Sequence, residues 1–381
     1  MRLPSTSPIP LPFRLAWFYF AFFVYVGAYV AYFPPYLAAR GLGPTEIAWV
    51  LALPYVARIV APAAWGWVAD RGGAHRGIVV FSCCANATCF VALPWVDRVA
   101  AIAALVGASS LLSAAALPLV ESITLGALAS QPGRYGPIRL WGSIGFIAAV
   151  LGGGAWLDLR AAESLPAVLF AFCGLSVVAA LLLPAQRLRP ATPSTFALPA
   201  AAALVIGAGF FMAVAHGALY TFYTLHLQRE GYGGTVIGLF WTLGVVAEIA
   251  VFLWLPALFR RYALSTILVA SFACAVLRFV AIGWGAGFAV VLLLAQLLHA
   301  ATFGAFHAAS VAAVQRSFPE HAQGRGQTLF SSLSYGAGGA AGALLAGWTW
   351  SLAGPGLAFT VSSLIAVLGL FVAWRLKRHG I

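Results

Sequence analysis

The sequence predicts an all-α integral membrane protein whose twelve transmembrane helices form two six-helix bundles. Three observations lead to this fold class. Hydrophobic residues make up 62% of the 381 residues and charged residues only 8%, against roughly half and a quarter in soluble domains. Apolar runs long enough to cross a bilayer recur along the whole chain. A pattern from the first half of the chain also returns in the second half.

The apolar runs give the helix count, because about 20 residues cross the hydrocarbon core of a bilayer. Clusters of glycine, proline and arginine separate the runs. Pro34 and Pro35 lie inside the first run, where they predict a kink or a break. The predicted helices are 13–40, 44–65, 77–96, 99–127, 138–157, 165–184, 198–227, 235–257, 262–284, 287–314, 327–352 and 355–375.

The basic residues orient these helices. With the N-terminus in the cytoplasm, fifteen of the 21 Lys and Arg fall in cytoplasmic segments and four in outer loops. Membrane proteins keep an excess of Lys and Arg on the cytoplasmic side, so both termini are predicted to be cytoplasmic in a bacterial-type inner membrane. The net charge of +12 then faces anionic lipid of the bilayer, and nucleic acid is not expected as a partner.

An internal repeat divides the chain. Residues 43–60 return at 233–250 with glycine, threonine and apolar positions in register. An even number of helices separates the copies, so both halves insert the same way up, which is typical of transporters whose halves rock around a central site. The predicted domains are an N-terminal bundle at 1–184, a cytoplasmic linker at 185–197 and a C-terminal bundle at 198–381.

A polar segment after the second predicted helix carries a recognisable pattern. It reads Gly-Trp-Val-Ala-Asp-Arg-Gly-Gly-Ala-His-Arg at 66–76. This segment resembles the G-x-x-A-D-R-x-G-x-x-R loop of the major facilitator superfamily in its spacing and in its place between helices 2 and 3. The resemblance implies a gating loop, in which a glycine permits close helix contact and an aspartate caps a helix end. Its residues are Gly66, Asp70, Arg71, Gly73 and Arg76.

Shorter segments indicate a resemblance to one group within this superfamily; they lie at 135–143, 244–248, 259–261 and 299–303. They are similar to the proton-linked 3-phenylpropionate permease group, which is akin to lactose permease and the nucleoside–proton symporters. The resemblance implies secondary active transport of a small organic solute by alternating access. The glycine–proline pattern of drug–proton antiporters is absent from the fifth helix, which favours symport over antiport.

Charged side chains inside the predicted helices are candidate functional residues, because a charge at the bilayer centre costs roughly 3 kcal/mol or more. Glu248, Arg278 and His299 lie on helices 8, 9 and 10, where lactose permease places an acid, an arginine and a histidine for proton coupling. The resemblance implies the same role here, with a structural Glu248–Arg278 ion pair as the alternative. Lactose permease has a further glutamate where this chain has Thr302, so Glu248 or His299 is expected to carry the proton.

Six polar residues are candidates for substrate contacts. Glu121 and Arg139 lie 18 residues apart on helices 4 and 5, where lactose permease has its substrate-binding pair; an interfacial ion pair is the alternative. Arg58 has no obvious partner in the sequence and is a candidate for contact with a substrate carboxylate or with an acid of the other half, with snorkelling as the alternative. Other polar residues of the predicted helices complete the set: His216, Gln296 and His307.

Aromatic residues, glycines and cysteines also follow patterns along the predicted helices. The aromatic first helix predicts a lipid-facing belt, with a cavity-lining stripe as the alternative. Glycine-rich helices 5 and 11 predict close backbone contacts. The five cysteines lie in apolar runs without metal-ligand spacing, and no motif of an enzyme is present.

The sequence therefore favours a monomeric transporter of protons and a small-molecule substrate, with no cofactor, no metal and no enzymatic activity. The favoured substrate is an aromatic monocarboxylate such as 3-phenylpropionate. A sugar or a nucleoside is second, and drug–proton antiport is third.

Overall fold

The structure is a computed structural model that describes residues 9–72, 75–185 and 198–380. Within these ranges the chain is helical and contains no strand. We number the membrane-spanning helices α1 to α12 in chain order. The predicted linker at 185–197 lies almost wholly outside the described residues, so the predicted domain boundaries stay a prediction.

The two halves each contribute six helices. The first half contains α1 (Leu11–Ala39), α2 (Pro44–Gly72), α3 (His75–Ala92), α4 (Val99–Ser113 and Ala116–Ala127), α5 (Tyr135–Leu159) and α6 (Leu165–Leu182). The second half contains α7 (Ala200–Ala215 and Gly217–Arg229), α8 (Gly234–Arg261), α9 (Leu264–Gly285), α10 (Ala289–Ser317), α11 (323–352) and α12 (355–375).

The last two helices are joined without an intervening loop. The apolar helical segment Gln323–His379 has 57 residues, and a straight helix of that length would span about 85 Å against the ~30 Å of the hydrocarbon core. Its backbone leaves helical geometry at Ala353 and Gly354, where φ of Gly354 is +74°. Glycine adopts such a φ without strain. The segment is therefore two helices, which confirms the predicted twelve.

One predicted helix break and one predicted helix end were wrong. α1 runs unbroken through Pro34 and Pro35 to Ala39. Both prolines are buried. Proline removes a backbone hydrogen bond from the helix, and the packing around these residues stabilises the turn in its place. α2 continues to Gly72, so most of the predicted gating loop is the last turns of a helix.

Four helices that the sequence predicts as continuous are interrupted. α4 breaks between Ser113 and Ala116, and α7 breaks at His216. α10 contains a π-helical segment, Ala300–Ala305, and α11 contains another, Ser331–Gly338. Such segments occur mostly at functional sites.

The aromatic residues of α1 do not form the predicted lipid-facing belt. Phe18, Tyr19 and Tyr32 are fully buried, and Tyr29 stacks on Phe33 with ring centroids 4.6 Å apart. α1 packs against α5, α6 and α7. These rings therefore pack inside the helix bundle, and a cavity-lining role for them stays a prediction.

The two halves meet at one end, which we call the closed end; it bears the loops that follow α1, α5 and α7. There α2 packs against α11, α5 against α8 and α1 against α7. The backbones of Gly154 and Gly234 touch, and Gly347 packs directly on Ala48. Small residues allow this approach, which confirms the role predicted for the glycines of helices 5 and 11. The opposite end, the termini end, carries both chain termini.

Polar groups fasten the closed end. Thr45 Oγ1 lies 2.8 Å from Ser351 Oγ. Asp158, at the end of α5, accepts hydrogen bonds from the backbone N–H groups of Gly234 (2.5 Å) and Thr235 (2.8 Å) and from the Thr235 hydroxyl (2.6 Å). The residue before α8 is a glycine with no side chain for capping. Asp158 of one half therefore caps a helix of the other half.

Candidate functional site

Arg278 of α9 lies at the centre of the second half and is 1% exposed. Its Nε donates to the Ala295 carbonyl at 3.0 Å, Nη1 donates to Thr302 Oγ1 at 3.0 Å, and Nη2 donates to Gln296 Oε1 at 3.2 Å. All of these acceptors are neutral. The predicted contact with the Glu248 carboxylate is not among the described contacts of this arginine.

His216 supplies a fourth acceptor to the guanidinium. Its Nδ1 lies 2.8 Å from the Met212 carbonyl, and its Nε2 lies 3.4 Å from Arg278 Nη1. A carbonyl accepts only, so Nδ1 carries the proton and Nε2 accepts from the arginine. His216 and Gln296 are thus buried around Arg278, and neither is placed to contact a solute in this conformation.

Glu248 of α8 and His299 of α10 form the second part of the site. Glu248 Oε2 lies 3.9 Å from His299 Nε2, and the side chains are 16% and 9% exposed. The His299 ring also feels the charge of Arg278. Of the three predicted coupling residues, the structure therefore brings the acid to the histidine, with the arginine behind the histidine.

Two glycines let α8 and α10 come this close. A Cβ on Gly244 would lie 3.0 Å from Gln296 Oε1 and 3.3 Å from the His299 ring. A Cβ on Gly304, in the π-helical segment of α10, would lie 3.1 Å from Cγ of Glu248. All three distances are shorter than ordinary contacts, so the glycines allow the acid to lie close to the histidine.

Glu121 and Arg139 form the predicted pair in the first half. Arg139 Nε lies 3.9 Å from Glu121 Oε1, and the side chains are 32% and 40% exposed. The guanidinium carbon lies 4.3 Å from the centroid of the Phe23 ring, a cation–π contact. Arg139 also acts electrostatically on Glu248 and His307 of the other half. The pair therefore faces the space between the halves.

Arg58 of the first half and His307 of the second half each lie beside a tyrosine. The guanidinium carbon of Arg58 is 5.8 Å from the centroid of the Tyr55 ring, and the side chain is exposed. His307 Nδ1 lies 2.8 Å from the hydroxyl of Tyr335. His299 and His307 share a face of α10, because Phe303 stacks between their rings at centroid distances of 5.3 and 6.2 Å.

The predicted gating residues lie at the termini end. No described atom lies within 4 Å of a Cβ built on Gly66, so the predicted close helix contact is absent in this conformation. Arg76 lies in the first turn of α3. Gly73 and the side chains of Asp70 and Arg71 lie outside the described residues.

Exposure of these side chains is highest for Glu121 and Arg139, lower for Glu248 and lowest for His299. The two halves are joined at the closed end, and the most exposed of the four side chains belong to the acid–arginine pair of the first half.

Comparison with known sequences identifies this architecture. The chain matches the MFS_1-like family over residues 13–361. It belongs to this family of major facilitator transporters. It is 30% identical to a probable 3-phenylpropionic acid transporter of Escherichia coli (strain K12), over 94% of the chain and 96% of that protein. It is also 23% identical to an uncharacterized transporter of Bacillus subtilis (strain 168), over 93% of the chain and 88% of that protein.

A solved structure supports the major facilitator fold. The nucleoside transporter NupG superposes with a TM-score of 0.81 at 18% identity, over 97% of this chain and 99% of that one. The fold and the relatives of this major facilitator protein are those of multi-pass membrane transporters, so the expectation that it is not an enzyme is confirmed.

Sequence reasoning missed several residues of the site region. Asp158 joins the halves, and Tyr55 and Tyr335 border Arg58 and His307. The position of Asp158 at the end of an apolar run was a usable signal, because an acid there meets the N-terminus of a neighbouring helix favourably. Nothing in their spacing distinguishes the two tyrosines from packing residues.

Proposed function

We propose that this protein is a proton-coupled symporter of the inner membrane that takes up a small organic solute by alternating access. The favoured solute is an aromatic monocarboxylate such as 3-phenylpropionate. The observation that carries the proposal is the Glu248–His299 pair, held 3.9 Å apart and opposite Arg139 of the other half. A partly buried carboxyl group between two halves that move can bind a proton in one state and release it in another.

The charges around the central space favour an anion. Three arginines, Arg58, Arg139 and Arg278, stand against two acids, Glu121 and Glu248. The region therefore carries one excess positive charge when both acids are ionised, and protonation of Glu248 adds another. An organic carboxylate compensates this charge, so proton and anion binding support each other.

Similarity adds independent support. The Escherichia coli relative at 30% identity is a probable 3-phenylpropionic acid transporter. If the termini lie in the cytoplasm, as the basic residues predict, the closed end faces outward and this conformation releases solute inward. We further propose that the protein acts as a monomer, since each candidate site is completed within one chain.

A sugar or nucleoside is the second candidate. Arg139, Glu121 and the ring of Phe23 present a cation, an acid and an aromatic face together, which suits hydroxyl groups on an apolar ring. Drug–proton antiport is the third, and no contact in the structure favours it.

Transport in liposomes tests the proposal. Purified protein is placed in liposomes that are alkaline inside, and the initial rates of uptake of labelled 3-phenylpropionate and of a neutral disaccharide are followed in parallel. Undissociated acid crosses lipid unaided, so rates in protein-free liposomes are subtracted. We expect protein-dependent uptake of the acid that disappears when the pH gradient is collapsed. Uptake of the disaccharide alone would favour the second candidate, and equal rates with and without protein would contradict acid transport.

A further inference from the structure

We propose that the carboxylate of the solute is bound by Arg58 together with the hydroxyl groups of Tyr55 and Tyr335, directly below the closed end. This proposal rests on the proposed function and specifies where the carboxylate of the solute binds. Arg58 and Tyr55 belong to α2 and Tyr335 belongs to α11, so one bound anion touches both halves of the molecule.

Arg58 is the arginine of the central region that has room for a ligand. Arg139 is engaged by Glu121 and by the ring of Phe23. Arg278 directs its donors to neutral acceptors and is almost fully buried. No described carboxylate lies within 4.0 Å of the exposed Arg58, whose described contact is the Tyr55 ring. A guanidinium without an acid partner is well suited to a carboxylate.

The two tyrosines meet where α2 crosses α11. The ring of Tyr55 packs against Gly339, where a Cβ would collide with it, and a Cβ on Gly336 would lie 3.3 Å from the Tyr55 carbonyl. Tyr335 immediately precedes Gly336, whose Cβ would lie 2.8 Å from Cγ1 of Ile59, the residue after Arg58. The glycines of α11 thus bring one tyrosine from each half to the same arginine.

A hydrogen bond between His307 and Tyr335 can orient the Tyr335 hydroxyl toward a ligand. Its Nδ1 lies 2.8 Å from the hydroxyl oxygen. When Nδ1 donates this hydrogen bond, the O–H of Tyr335 is free to donate to a carboxylate oxygen. The candidate residue His307 then acts on the solute through the tyrosine.

Further tyrosines border the same region. The Tyr29 hydroxyl is buried without a hydrogen-bond partner among the described residues. The ring of Tyr220 of α7 stacks on Trp241 at a centroid distance of 6.4 Å. An unsatisfied buried hydroxyl and stacked rings favour a ligand with both a polar end and an aromatic body.

Equilibrium binding to the purified protein tests the site, with 3-phenylpropionate as the probe and its uncharged amide, 3-phenylpropionamide, as the matched ligand. Tyr55→Phe and Tyr335→Phe each remove one hydroxyl and keep the ring. Arg58→Gln removes the charge. We expect affinity for the acid to fall about tenfold in each tyrosine variant and roughly 30-fold or more in Arg58→Gln. Affinity for the amide should change less than threefold.

Tyr36→Phe is the control variant, because the Tyr36 hydroxyl contacts Arg40 at the closed end, away from this site. It should bind both ligands as the wild type does. Wild-type affinity for the acid in all three site variants would overturn the site and leave the proposed function standing. Equal losses for acid and amide would also overturn it, since they indicate altered folding. If the wild-type protein neither binds nor transports the acid, the proposed function itself fails.

Discussion

At the centre of the site, Glu248 lies beside His299, while Arg278 donates its hydrogen bonds to neutral groups. The sequence indicates that Glu248, Arg278 and His299 share the membrane interior, because charged and polar residues there are rare and grouped. It does not reveal that Arg278 is satisfied by Thr302 and Gln296 while His299 stands beside the acid. Partners on different helices depend on helix rotation and tilt, which spacing along the chain does not fix.

Replacing Glu248, the proposed proton-binding acid, tests whether proton coupling is lost while solute movement continues. Glu248→Gln keeps the size and hydrogen-bonding capacity of the side chain but cannot ionise. We expect uptake driven by a pH gradient to fall at least 20-fold, while exchange of internal for external solute continues, because exchange needs no net proton release. Both rates are measured in liposomes with labelled solute.

Glu230→Gln is the matched control for this prediction. Glu230 is exposed at the closed end, after α7, and its replacement should leave both rates unchanged. Retention of gradient-driven uptake in Glu248→Gln would remove this acid from the coupling mechanism.

At the scale of helices, the lengths and the order of the spans could be predicted, but the π-helical segments could not. Segment 300–305 is rich in alanine and reads as ordinary α-helix. An i→i+5 turn is stabilised by what surrounds it, and here those surroundings are Arg278 against Thr302 and Glu248 against Gly304. The glycines that seat these contacts are visible in the sequence, although their partners are not.

A methyl group at Gly304 should disturb the packing of Glu248 against α10. In Gly304→Ala, the new Cβ would lie 2.8 Å from Val251 Cγ1 and 3.1 Å from Glu248 Cγ, so these side chains or the helix α8 that carries them must shift. We expect the free energy of unfolding to fall by about 1–2 kcal/mol and gradient-driven uptake to fall severalfold. Thermal unfolding in detergent and initial uptake rates measure the two effects.

Gly174→Ala supplies the comparison, because a Cβ on Gly174 of α6 meets no described atom within 4 Å. It should raise stability slightly, as alanine favours helices over glycine, and leave uptake unchanged. Similar losses of stability and uptake in both variants would show that the effect follows from replacing any helix glycine and not from the packing of Glu248.

At the scale of the whole molecule, the repeat predicted two similar halves, and the contacts between them follow the same symmetry. Thr45 and Thr235 occupy equivalent positions of the repeat, and both lie at the closed end, against Ser351 and Asp158 respectively. The sequence could not reveal which end is closed, since one sequence encodes every state of an alternating-access cycle. The missing close contact at Gly66 fits a molecule that is open at the termini end.

Asp158 is expected to hold this closed conformation, because its carboxylate accepts three hydrogen bonds from the first residues of α8 across the boundary between halves. Hydrogen bonds to a charged group and a helix cap together contribute about 2 kcal/mol net. Asp158→Ala should therefore shift the ratio of closed to open at this end by roughly 30-fold. The shift is measurable as faster maleimide labelling of Ala52→Cys, buried between α2 and α11, in a background without native cysteines.

Asp97→Ala distinguishes this boundary effect from a general loss of charge at the same end. Asp97 pairs with Arg40 at 2.6 Å inside the first half and joins no helix of the second half through that bond. Its removal should leave labelling of Ala52→Cys unchanged, since the contact of α2 with α11 does not depend on it. If Asp97→Ala accelerates labelling as much as Asp158→Ala does, or if neither does, the cap across the halves does not hold the closed end. The tight packing of Gly154 on Gly234 would then be the contact that sets the balance between the two states.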